Sequence, residues 1–292
     1  HFFAWNDNFS DARNAAHEHA RGDWVLVLDA DEELPAESHE KLAQDMAAAN
    51  VLGYRIPICN LQEASDAVTY VPRLFRNAPA LFFVSRVHEQ IYASVLARKA
   101  DWGMEAKMGT ATIVHHGYDP GLVLRRQKIK RNLRLLERAV EELPNEAALI
   151  MNYGLDLVND GRLEEGLEKY RQAFRIMEPH PATSILPEVR ERLLTLFGVH
   201  LVKANRFEEV LEVLTSRLAR DSGPTGSICF LTALAAMRLG RAAEAIPHLR
   251  ECLNRRHIPA LTPPCREILK GGPQHLLAEC LAKIGQNAEA EA

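Results

Sequence analysis

Residues 22–32 read Gly-Asp-Trp-Val-Leu-Val-Leu-Asp-Ala-Asp-Glu, so an apolar run leads directly into a group of carboxylates. The run 24–28 is continuous and partly β-branched, which is typical of a strand buried on both faces of a parallel or mixed sheet. Asp29 and Asp31 follow where the chain leaves this strand, and in open α/β sheets ligands bind at that end of the strands. Two carboxylates there can converge on a divalent cation, which prefers oxygen ligands and bridges phosphate oxygens. A solvated acidic turn before the next helix would contain the same residues.

Strand-like runs and helical segments alternate on both sides of this stretch. Ser10 can cap a helix that starts at Asp11, because its hydroxyl can accept a hydrogen bond from the first free N–H groups. Pro35 precedes a second helix, predicted over 37–49. Further short strands are predicted at 54–58, 68–75, 81–84 and 111–114. This alternation predicts an α/β domain over residues 1–120.

A connecting basic helix is predicted over residues 121–143, and no strand-like run follows it. Apolar residues recur there in steps of four and three, which defines one helical face. They are Ile129, Leu133, Leu136, Val140 and Leu143. Seven basic residues stand against three acidic ones between 122 and 143. A solvated basic face, or pairing with acidic turns farther along the chain, is one explanation of this charge.

Residues 144–292 contain an internal repeat, in which a turn residue precedes a polar stretch and an apolar-rich helix. The four turn positions are Gly161, Asn205, Gly240 and Gly285. Gly or Asn permits the left-handed backbone that such a turn requires. Residues seven before and five after each turn are mostly small, which lets antiparallel helices approach closely. They are Gly154, Gly198, Ala233 and Ala278 before the turns, and Gly166, Val210, Ala245 and Ala290 after them. The pattern resembles the tetratricopeptide repeat, whose period is about 34 residues.

Composition excludes several classes of protein. The chain has 292 residues and a formal net charge of -4, with 47% hydrophobic and 25% charged residues, as expected for about two globular domains. A weakly acidic total argues against a protein that coats nucleic acid, and the basic helix lacks interleaved aromatic residues. No apolar stretch reaches the roughly 18 residues that suggest a transmembrane helix. The five cysteines form no CxxC pair, which predicts reduced thiols and a cytoplasmic protein.

Several motifs occur in a fixed order around the stretch at 22–32. They are Phe9-Ser-Asp-Ala-Arg-Asn14, Arg73-Leu-Phe-Arg76, Val87-His-Glu-Gln-Ile91, His115-His-Gly-Tyr118 and Lys128-Ile-Lys-Arg-Asn132. Together they resemble family 2 glycosyltransferases of the GT-A fold, in the subgroup where a tetratricopeptide-like tail follows the transferase. The resemblance covers residues 5–135, and the repeats account for the rest.

The resemblance implies the transfer of a sugar, of hexosyltransferase type, from a nucleoside-diphosphate sugar to an acceptor nucleophile with inversion. The implied acceptor is a peptide, a protein or a glycan, and the repeats would bind that acceptor or a partner. A divalent cation, Mg²⁺ or Mn²⁺, would lie at Asp29 and Asp31, with Asp31 the more direct ligand, and would act as a Lewis acid on the leaving diphosphate. His115 would complete the metal shell or touch the diphosphate. His116 would point the opposite way on a strand.

Inversion requires a base that deprotonates the acceptor on the opposite face of the sugar. The resemblance places the catalytic carboxylate at Glu89, and His88 can orient it. The alternatives are a surface Glu89 paired with a nearby arginine such as Arg86, and a partly buried structural His88.

The resemblance also places basic and polar side chains near the nucleotide. Arg13 would bond a phosphate or a base edge, and Asn14 a ribose hydroxyl. Arg73 and Arg76 are expected on the same side of a strand, where one faces the donor phosphates and the other covers a sheet edge.

Lys128 and Arg131 lie three apart on one face of the basic helix and can contact the diphosphate. The family's opening strand, which contacts the nucleotide, should precede Phe9, where only eight residues stand. We therefore expect that strand to be missing and this chain by itself to be inactive. A second hypothesis is a tetratricopeptide scaffold with an inactive transferase-like domain, although a scaffold requires none of the carboxylates.

Overall fold

The computed structural model describes residues 2–61, 69–117, 121–258, 261–262 and 266–286, and at 121–126, 182 and 266 it describes the backbone without the side chains. The chain forms two compact units, His1–Leu143 and Pro144–Ala292. The first unit contains a mixed sheet with helices, and the elements described in the second are all helical. This confirms the predicted fold class, an α/β part followed by an all-α part.

A six-stranded sheet forms the centre of the first unit. Its strands are β1 (Trp24–Leu26), β2 (Glu32–Glu33), β3 (Val51–Asn60), β4 (Thr69–Arg76), β5 (Glu105–Met108) and β6 (Ile113–His115). They lie in the order β1-β4-β3-β6-β2, and β5 also pairs with β3. β3 runs parallel to β5 and β6, whereas β1–β4, β3–β4 and β2–β6 are antiparallel.

The helices of the first unit are α1 (Phe9–His17), α2 (Ala36–Ala47), α3 (Tyr92–Asp101) and α4 (Gly121–Glu142). The first three cover the two faces of the sheet. On one face, Leu42 of α2 packs in a cluster with β3 and β4 side chains such as Ile56. On the other face, Val95 of α3 packs with Phe75 of β4. α1 lies over this second face, since the His17 ring meets Phe75 edge-on at 5.4 Å.

Asp45 fixes the end of α2 to the loop between β5 and β6. Its buried carboxylate accepts hydrogen bonds from the Thr110 amide at 2.8 Å, the Ala111 amide at 3.3 Å and the Thr110 hydroxyl at 3.1 Å. The Tyr54 hydroxyl donates to the Asp45 carbonyl at 2.6 Å. A buried carboxylate with this many donors is well satisfied, so Asp45 holds the helix on the sheet.

The strands differ from the prediction in three ways. β1 is only half-buried and, among the described strands, pairs with β4 alone, although Trp24 and Leu26 pack in one cluster and Val25 in the other, so both faces are covered in part. Residues 81–84 form no strand in the described structure, and Val84 makes only an isolated bridge with Gln90. β2 and β5 were not predicted, because both are short and mostly polar and depend on their partners in the sheet.

Two helical details also differ. Asn8, not Ser10, caps α1 and accepts hydrogen bonds from the amides of Ser10 and Asp11. The buried face of α4 is rotated from the predicted one: Asn132, Leu135, Leu136 and Ala139 are the buried residues, and Leu143 is exposed. Apolar residues occupy more than one face of α4, so spacing alone did not select the buried one.

The second unit consists of helical hairpins. Its helices are α5 (Ala147–Asn159), α6 (Leu163–Met177), α7 (Pro187–Lys203), α8 (Phe207–Leu214), α9 (Arg217–Ser222), α10 (Gly226–Arg238), α11 (Ala242–Arg255), α12 (Arg266–Leu269) and α13 (Gly272–Lys283), with a 3₁₀ turn at Ala182–Ser184. The turns at Gly161, Asn205 and Gly240 connect α5 to α6, α7 to α8, and α10 to α11, and Gly285 follows α13. All four residues have positive φ, with values of 86°, 55°, 77° and 80°. The predicted left-handed turns are therefore confirmed.

Small residues bring the paired helices together. A Cβ on Gly166 of α6 would lie 2.7 Å from the Gly154 carbonyl oxygen of α5. Ala233 of α10 and Ala245 of α11 are both fully buried in one cluster. Ala290 lies outside the described residues. The predicted close approach holds for the α5–α6 and α10–α11 pairs.

None of the helices in the described part of the chain is long and apolar enough to cross a membrane. The four cysteines that the structure describes, Cys59, Cys229, Cys252 and Cys280, are free thiols.

Candidate active site

Two arginines converge on Asp29, just beyond the end of β1. Arg13 of α1 donates from Nη2 to Asp29 Oδ1 at 3.2 Å, and Arg73 of β4 donates from Nη2 to Asp29 Oδ2 at 2.6 Å. The sheet and α1 therefore place two fixed positive charges on the first carboxylate of the Asp-Ala-Asp sequence.

Glu89 joins the same group through Arg13. Arg13 Nε donates to Glu89 Oε1 at 2.5 Å, and the Glu89 side chain is 13% exposed. The predicted alternative partner, Arg86, instead pairs with Glu142 at 2.6 Å. Glu89 is therefore paired with an arginine, as that alternative required, but the arginine is Arg13 rather than Arg86 and the glutamate side chain is largely buried.

The loop that carries Glu89 is tightly constrained. Val84 and Gln90 exchange backbone hydrogen bonds at 3.0 Å and close the loop at its base. Inside it, Ser85 and His88 adopt positive φ of 85° and 55°, which is uncommon for residues with a side chain. Non-glycine residues in this region cluster at functional sites, where surrounding structure holds them. His88 is partly buried, and its predicted role in orienting Glu89 stays a prediction.

Asn14 fixes a neighbouring loop. Its amide accepts a hydrogen bond from the Phe83 amide at 2.7 Å and donates to the Phe83 carbonyl at 3.0 Å. Both ends of the side chain are thus engaged with the backbone. The predicted contact with a ribose hydroxyl stays a prediction, and it would require release of these bonds.

Glu32 is a buried member of the group that the sequence did not reveal. Its Oε1 accepts from Arg73 Nη2 at 2.6 Å, and its Oε2 accepts from the Asp29 amide at 2.9 Å. The side chain is only 4% exposed. The only signal in the sequence was an acidic residue three positions after Asp29, which is also common in solvated turns.

Asp31 faces a different set of residues from Asp29. His115 Nε2 lies 3.2 Å from Asp31 Oδ2, and His115 Nδ1 lies 2.6 Å from Asn60 Oδ1. An oxygen acceptor at Nδ1 favours a proton there, which leaves the Nε2 lone pair directed at the carboxylate. In that tautomer both atoms could be ligands of one cation. His116 contacts Glu33 instead, at 2.8 Å, so the two histidines diverge as predicted.

The structure divides the three side chains expected to bind a metal. Asp29 lies with the arginines, whereas Asp31 lies with His115. Among the residues that the structure describes, no three or more His, Cys, Asp or Glu side chains are grouped so that they could hold a metal ion. Asp31 and His115 are a carboxylate and an imidazole, which suit a divalent cation that takes its other ligands from substrate phosphates. The cation site therefore stays a prediction, with Asp31 and His115 as its protein ligands.

The arginines predicted at the nucleotide are not all in the group. The expectation that Arg73 and Arg76 share one side of β4 is wrong, because residues three apart on a strand point to opposite faces. Arg76 lies 4.5 Å over the Trp24 ring and donates to the carbonyls of Ala48 and Val51. It therefore supports the opposite face of the sheet.

The basic residues of α4 that were expected at the diphosphate have other surroundings. Arg131 lies 4.9 Å over the Phe9 ring at the start of α1. Lys128 is exposed. In the described structure neither residue contacts Asp29, Glu32 or Glu89. Their role at the diphosphate therefore stays a prediction.

The charges in this group reinforce one another. Burial alone would raise the pKa of Asp29, but the hydrogen bonds and charges of Arg73 and Arg13 lower that pKa below its ordinary value. Burial alone would likewise lower the pKa of Arg13, but Glu89 and Asp29 raise it. Both side chains are therefore charged at neutral pH.

Comparison with known proteins shows what the first unit is similar to. Residues 2–101 match the family described as glycosyl transferase family 2. A TPR repeat-containing protein of Synechococcus elongatus is 33% identical over 181 residues, which cover 61% of this chain and 45% of that protein. The glycosyltransferase SunS of the Bacillus subtilis SPbeta prophage is 24% identical over 175 residues, which cover 58% of this chain and 40% of the relative. The chain thus spans less than half the length of these relatives.

Two solved structures show a weak similarity. A crystal structure of MamA has 12% identity and a TM-score of 0.44, and covers 60% of this chain and 91% of its own. YrrB, described as a TPR protein with an unusual peptide-binding site, has 18% identity and a TM-score of 0.41, and covers 53% of this chain and 69% of its own.

Proposed function

We propose that this chain, in which a family 2 glycosyltransferase domain precedes tetratricopeptide-like repeats, transfers a sugar from a nucleoside-diphosphate sugar to an acceptor. We propose further that the sugar is a hexose, that transfer proceeds with inversion, and that the acceptor is a peptide, a protein or a glycan. The observation that carries this proposal is the convergence of Arg13 and Arg73 on Asp29 and Glu89 at the end of β1.

The arginines supply positive charge for the donor diphosphate. Guanidinium groups bind phosphate oxygens through paired N–H donors, and they hold their charge at every working pH. The buried Nε of Arg73 has no hydrogen-bond partner among the described residues. A buried donor without a partner is costly, so an oxygen from the donor substrate would satisfy it.

Glu89 is suited to take the proton of the acceptor. Arg13 holds Oε1, and within the described residues no group donates to Oε2. Because the carboxylate is fixed at one oxygen, the other is directed without loss of further side-chain freedom. A positioned carboxylate of this kind contributes about 10²- to 10⁴-fold to a reaction that requires proton removal.

Asp31 and His115 would hold the divalent cation. A cation bound with the donor supplies Lewis-acid stabilisation of the diphosphate as it leaves. The protein contributes the contact between Asn60 Oδ1 and His115 Nδ1, which orients the His115 ring. Mg²⁺ and Mn²⁺ are the proposed ions.

The repeats are proposed to bind the acceptor or a protein partner. Helical hairpins that stack along the chain give an extended surface rather than a single pocket, and such a surface suits an extended peptide or another protein.

The test measures release of nucleoside diphosphate by the complete product of the reading frame that encodes this chain. Purified protein is incubated with Mn²⁺ or Mg²⁺ and a panel of uridine, guanosine and thymidine diphosphate hexoses. Glu89→Gln should retain donor binding and lose about 100-fold or more in turnover. Glu142→Gln is the matched control, because Glu142 also pairs with an arginine, Arg86, but makes no described contact with Arg13 or Arg73.

Two outcomes would contradict the proposal. Absence of turnover by the wild-type protein with every donor and both cations would favour the scaffold hypothesis. Equal turnover in Glu89→Gln and wild type would exclude Glu89 as the base. The transferase assignment itself would still be decided by whether the wild-type protein turns over any donor.

A further inference from the structure

We infer that Glu32 is a positioning residue, which holds Asp29 and Asp31 toward different partners and fixes Arg73 for the donor. This inference rests on the proposed function. Glu32 touches no reacting atom in this assignment, and it would act through the residues that do.

Burial separates Glu32 from the glutamate beside it. The side chain of Glu32 is 4% exposed, whereas that of Glu33 is 61% exposed. A carboxylate is buried in a folded protein only when charge and hydrogen bonds compensate it. Glu32 has both, since one oxygen accepts from Arg73 and the other from the Asp29 amide.

Glu32 closes the turn that contains both aspartates. Its amide donates to the Asp29 carbonyl at 3.0 Å, and its carboxylate accepts from the Asp29 amide at 2.9 Å. These reciprocal bonds are analogous to those of a capping box, in which two residues three apart satisfy each other's backbone groups. The conformation of residues 29–32 is therefore fixed at both ends.

The backbone of Glu32 connects this turn to the His115 side. Glu32 lies directly opposite His115 in the β2–β6 ladder, and the His116 amide donates to the Asp31 carbonyl at 3.0 Å. Asp31 is thereby held beside His115 while Asp29 is held beside the arginines. The backbone of Glu32 thus lies beside the proposed cation ligands, Asp31 and His115. Its side chain contacts Arg73, which is proposed to bind the diphosphate.

The side chain of Glu32 also determines where Arg73 lies. Arg73 Nη2 is shared between Asp29 and Glu32, each at 2.6 Å. Loss of the Glu32 charge would leave Arg73 with Asp29 alone and draw its guanidinium toward the more exposed carboxylate. The diphosphate of the donor would then meet the Arg73 guanidinium in a different position.

The experiment compares Glu32→Gln with Glu33→Gln in the complete protein. Glutamine keeps the shape of Glu32 and removes its charge. We expect the KM for the donor and the Mn²⁺ concentration for half-maximal activity to rise about tenfold in Glu32→Gln, with a smaller change in kcat. Glu33→Gln should match wild type in both. A merely structural Glu32 would lower the melting temperature and the active fraction without moving these two quantities.

A double variant tests whether Glu32 acts through Arg73. If it does, the combined loss in Glu32→Gln with Arg73→Gln should be smaller than the product of the two single losses. Multiplicative losses would overturn the inference.

A second readout requires no activity. Hydrogen exchange of the Asp29 amide, followed by NMR, should accelerate at least about tenfold in Glu32→Ala relative to Glu33→Ala, while amides of β3 keep their protection. Unchanged exchange at Asp29 would overturn the inference even if the wild type transfers sugar. Inactive wild type with accelerated exchange would overturn the proposed function and leave the positioning role of Glu32 in place.

Discussion

Arg13 joins two carboxylates that come from different parts of the first unit. Its Nε contacts Glu89 and its Nη2 contacts Asp29, and its guanidinium lies 5.6 Å from the centre of the Phe83 ring. One planar side chain therefore sets the distance between the proposed base and the first carboxylate of the Asp-Ala-Asp sequence. A lysine could not do this, because its single ammonium lacks the fixed geometry of the guanidinium fork.

We predict that Arg13→Lys lowers turnover about 100-fold, because a displacement of about 1 Å at the reacting groups costs that much. Steady-state nucleotide release measures the effect. Arg98→Lys is the control, since Arg98 forms an exposed pair with Asp101 on α3. Full activity of Arg13→Lys would show that charge alone, without the fork, is sufficient.

His200 is a buried histidine in the second unit. Its ring stacks on Tyr170 with the centres 5.4 Å apart and the planes 4° from parallel. Burial, with a smaller contribution from the charge of Lys203, lowers the pKa of His200 to about 4. The folded protein therefore holds this ring neutral.

We predict that His200 makes the second unit less stable in acid. Its pKa is lower folded than unfolded, where it is about 6.5, so the unfolded chain takes up the proton first as the pH falls. Stability from the neutral ring is complete above pH 6.5 and is lost progressively between pH 6.5 and 4. The loss between pH 7 and pH 5 should be about 2 kcal/mol. Urea unfolding at several pH values measures it.

His200→Phe is the control for this prediction. Phenylalanine keeps an aromatic ring against Tyr170 and cannot take up a proton. The free energy of unfolding of the variant should therefore depend less on pH over this range. Equal pH dependence in both proteins would show that His200 is not the group responsible.

The α5–α6 hairpin depends on the absence of a side chain at Gly166. A Cβ there would meet Val158 Cγ2 at 2.5 Å and the Gly154 carbonyl oxygen at 2.7 Å. At Gly198 of α7, a Cβ would meet only the ends of Leu214 and Leu231, at 3.1 and 3.2 Å. Leucine side chains can move aside, whereas a helix backbone can do so only by separating the helices.

We predict that Gly166→Ala destabilises the second unit by about 1–3 kcal/mol, as expected for overpacking against backbone. Gly198→Ala should cost less, and can stabilise if the leucines adjust, because alanine favours a helix over glycine by about 1 kcal/mol. Chemical denaturation of both variants measures the difference. The reverse order would show that α5 and α6 separate easily.

The elements that sequence could predict are those whose cause is local. The turns at Gly161, Asn205, Gly240 and Gly285 require a left-handed residue, and glycine or asparagine supplies it wherever the partner helix lies. β1 was placed correctly in the chain, but its position at an edge of the described sheet depends on which strands pair with it. The cap of α1 shifted by two residues, since both Asn8 and Ser10 can cap a helix.

The candidate site shows the same division. Asp29 could be selected from its place at the end of a predicted strand, whereas Glu89 and His115 could be selected only because their motifs resemble a known family. The contacts of Arg13 join residues 16 and 76 positions apart, and spacing along the chain does not predict such pairs. Glu32 was missed for this reason, since its partner Arg73 lies 41 positions away.

At the scale of the whole molecule, each unit has its own hydrophobic core. The clusters around Ile56 and Phe75 lie in the first unit and those around Ala245 and Cys252 lie in the second. Independent cores allow independent unfolding, since the cooperativity of unfolding follows the packing within a domain.

We predict that calorimetry of the whole chain shows two unfolding transitions. Asp45→Ala removes the acceptor for two amides of the loop at Thr110 and should lower the transition of the first unit only, at a cost of about 3 kcal/mol. Gly166→Ala should lower the transition of the second unit only. Each variant thus serves as the control for the other. One transition that both substitutions shift equally would mean that the two units unfold as a single cooperative body.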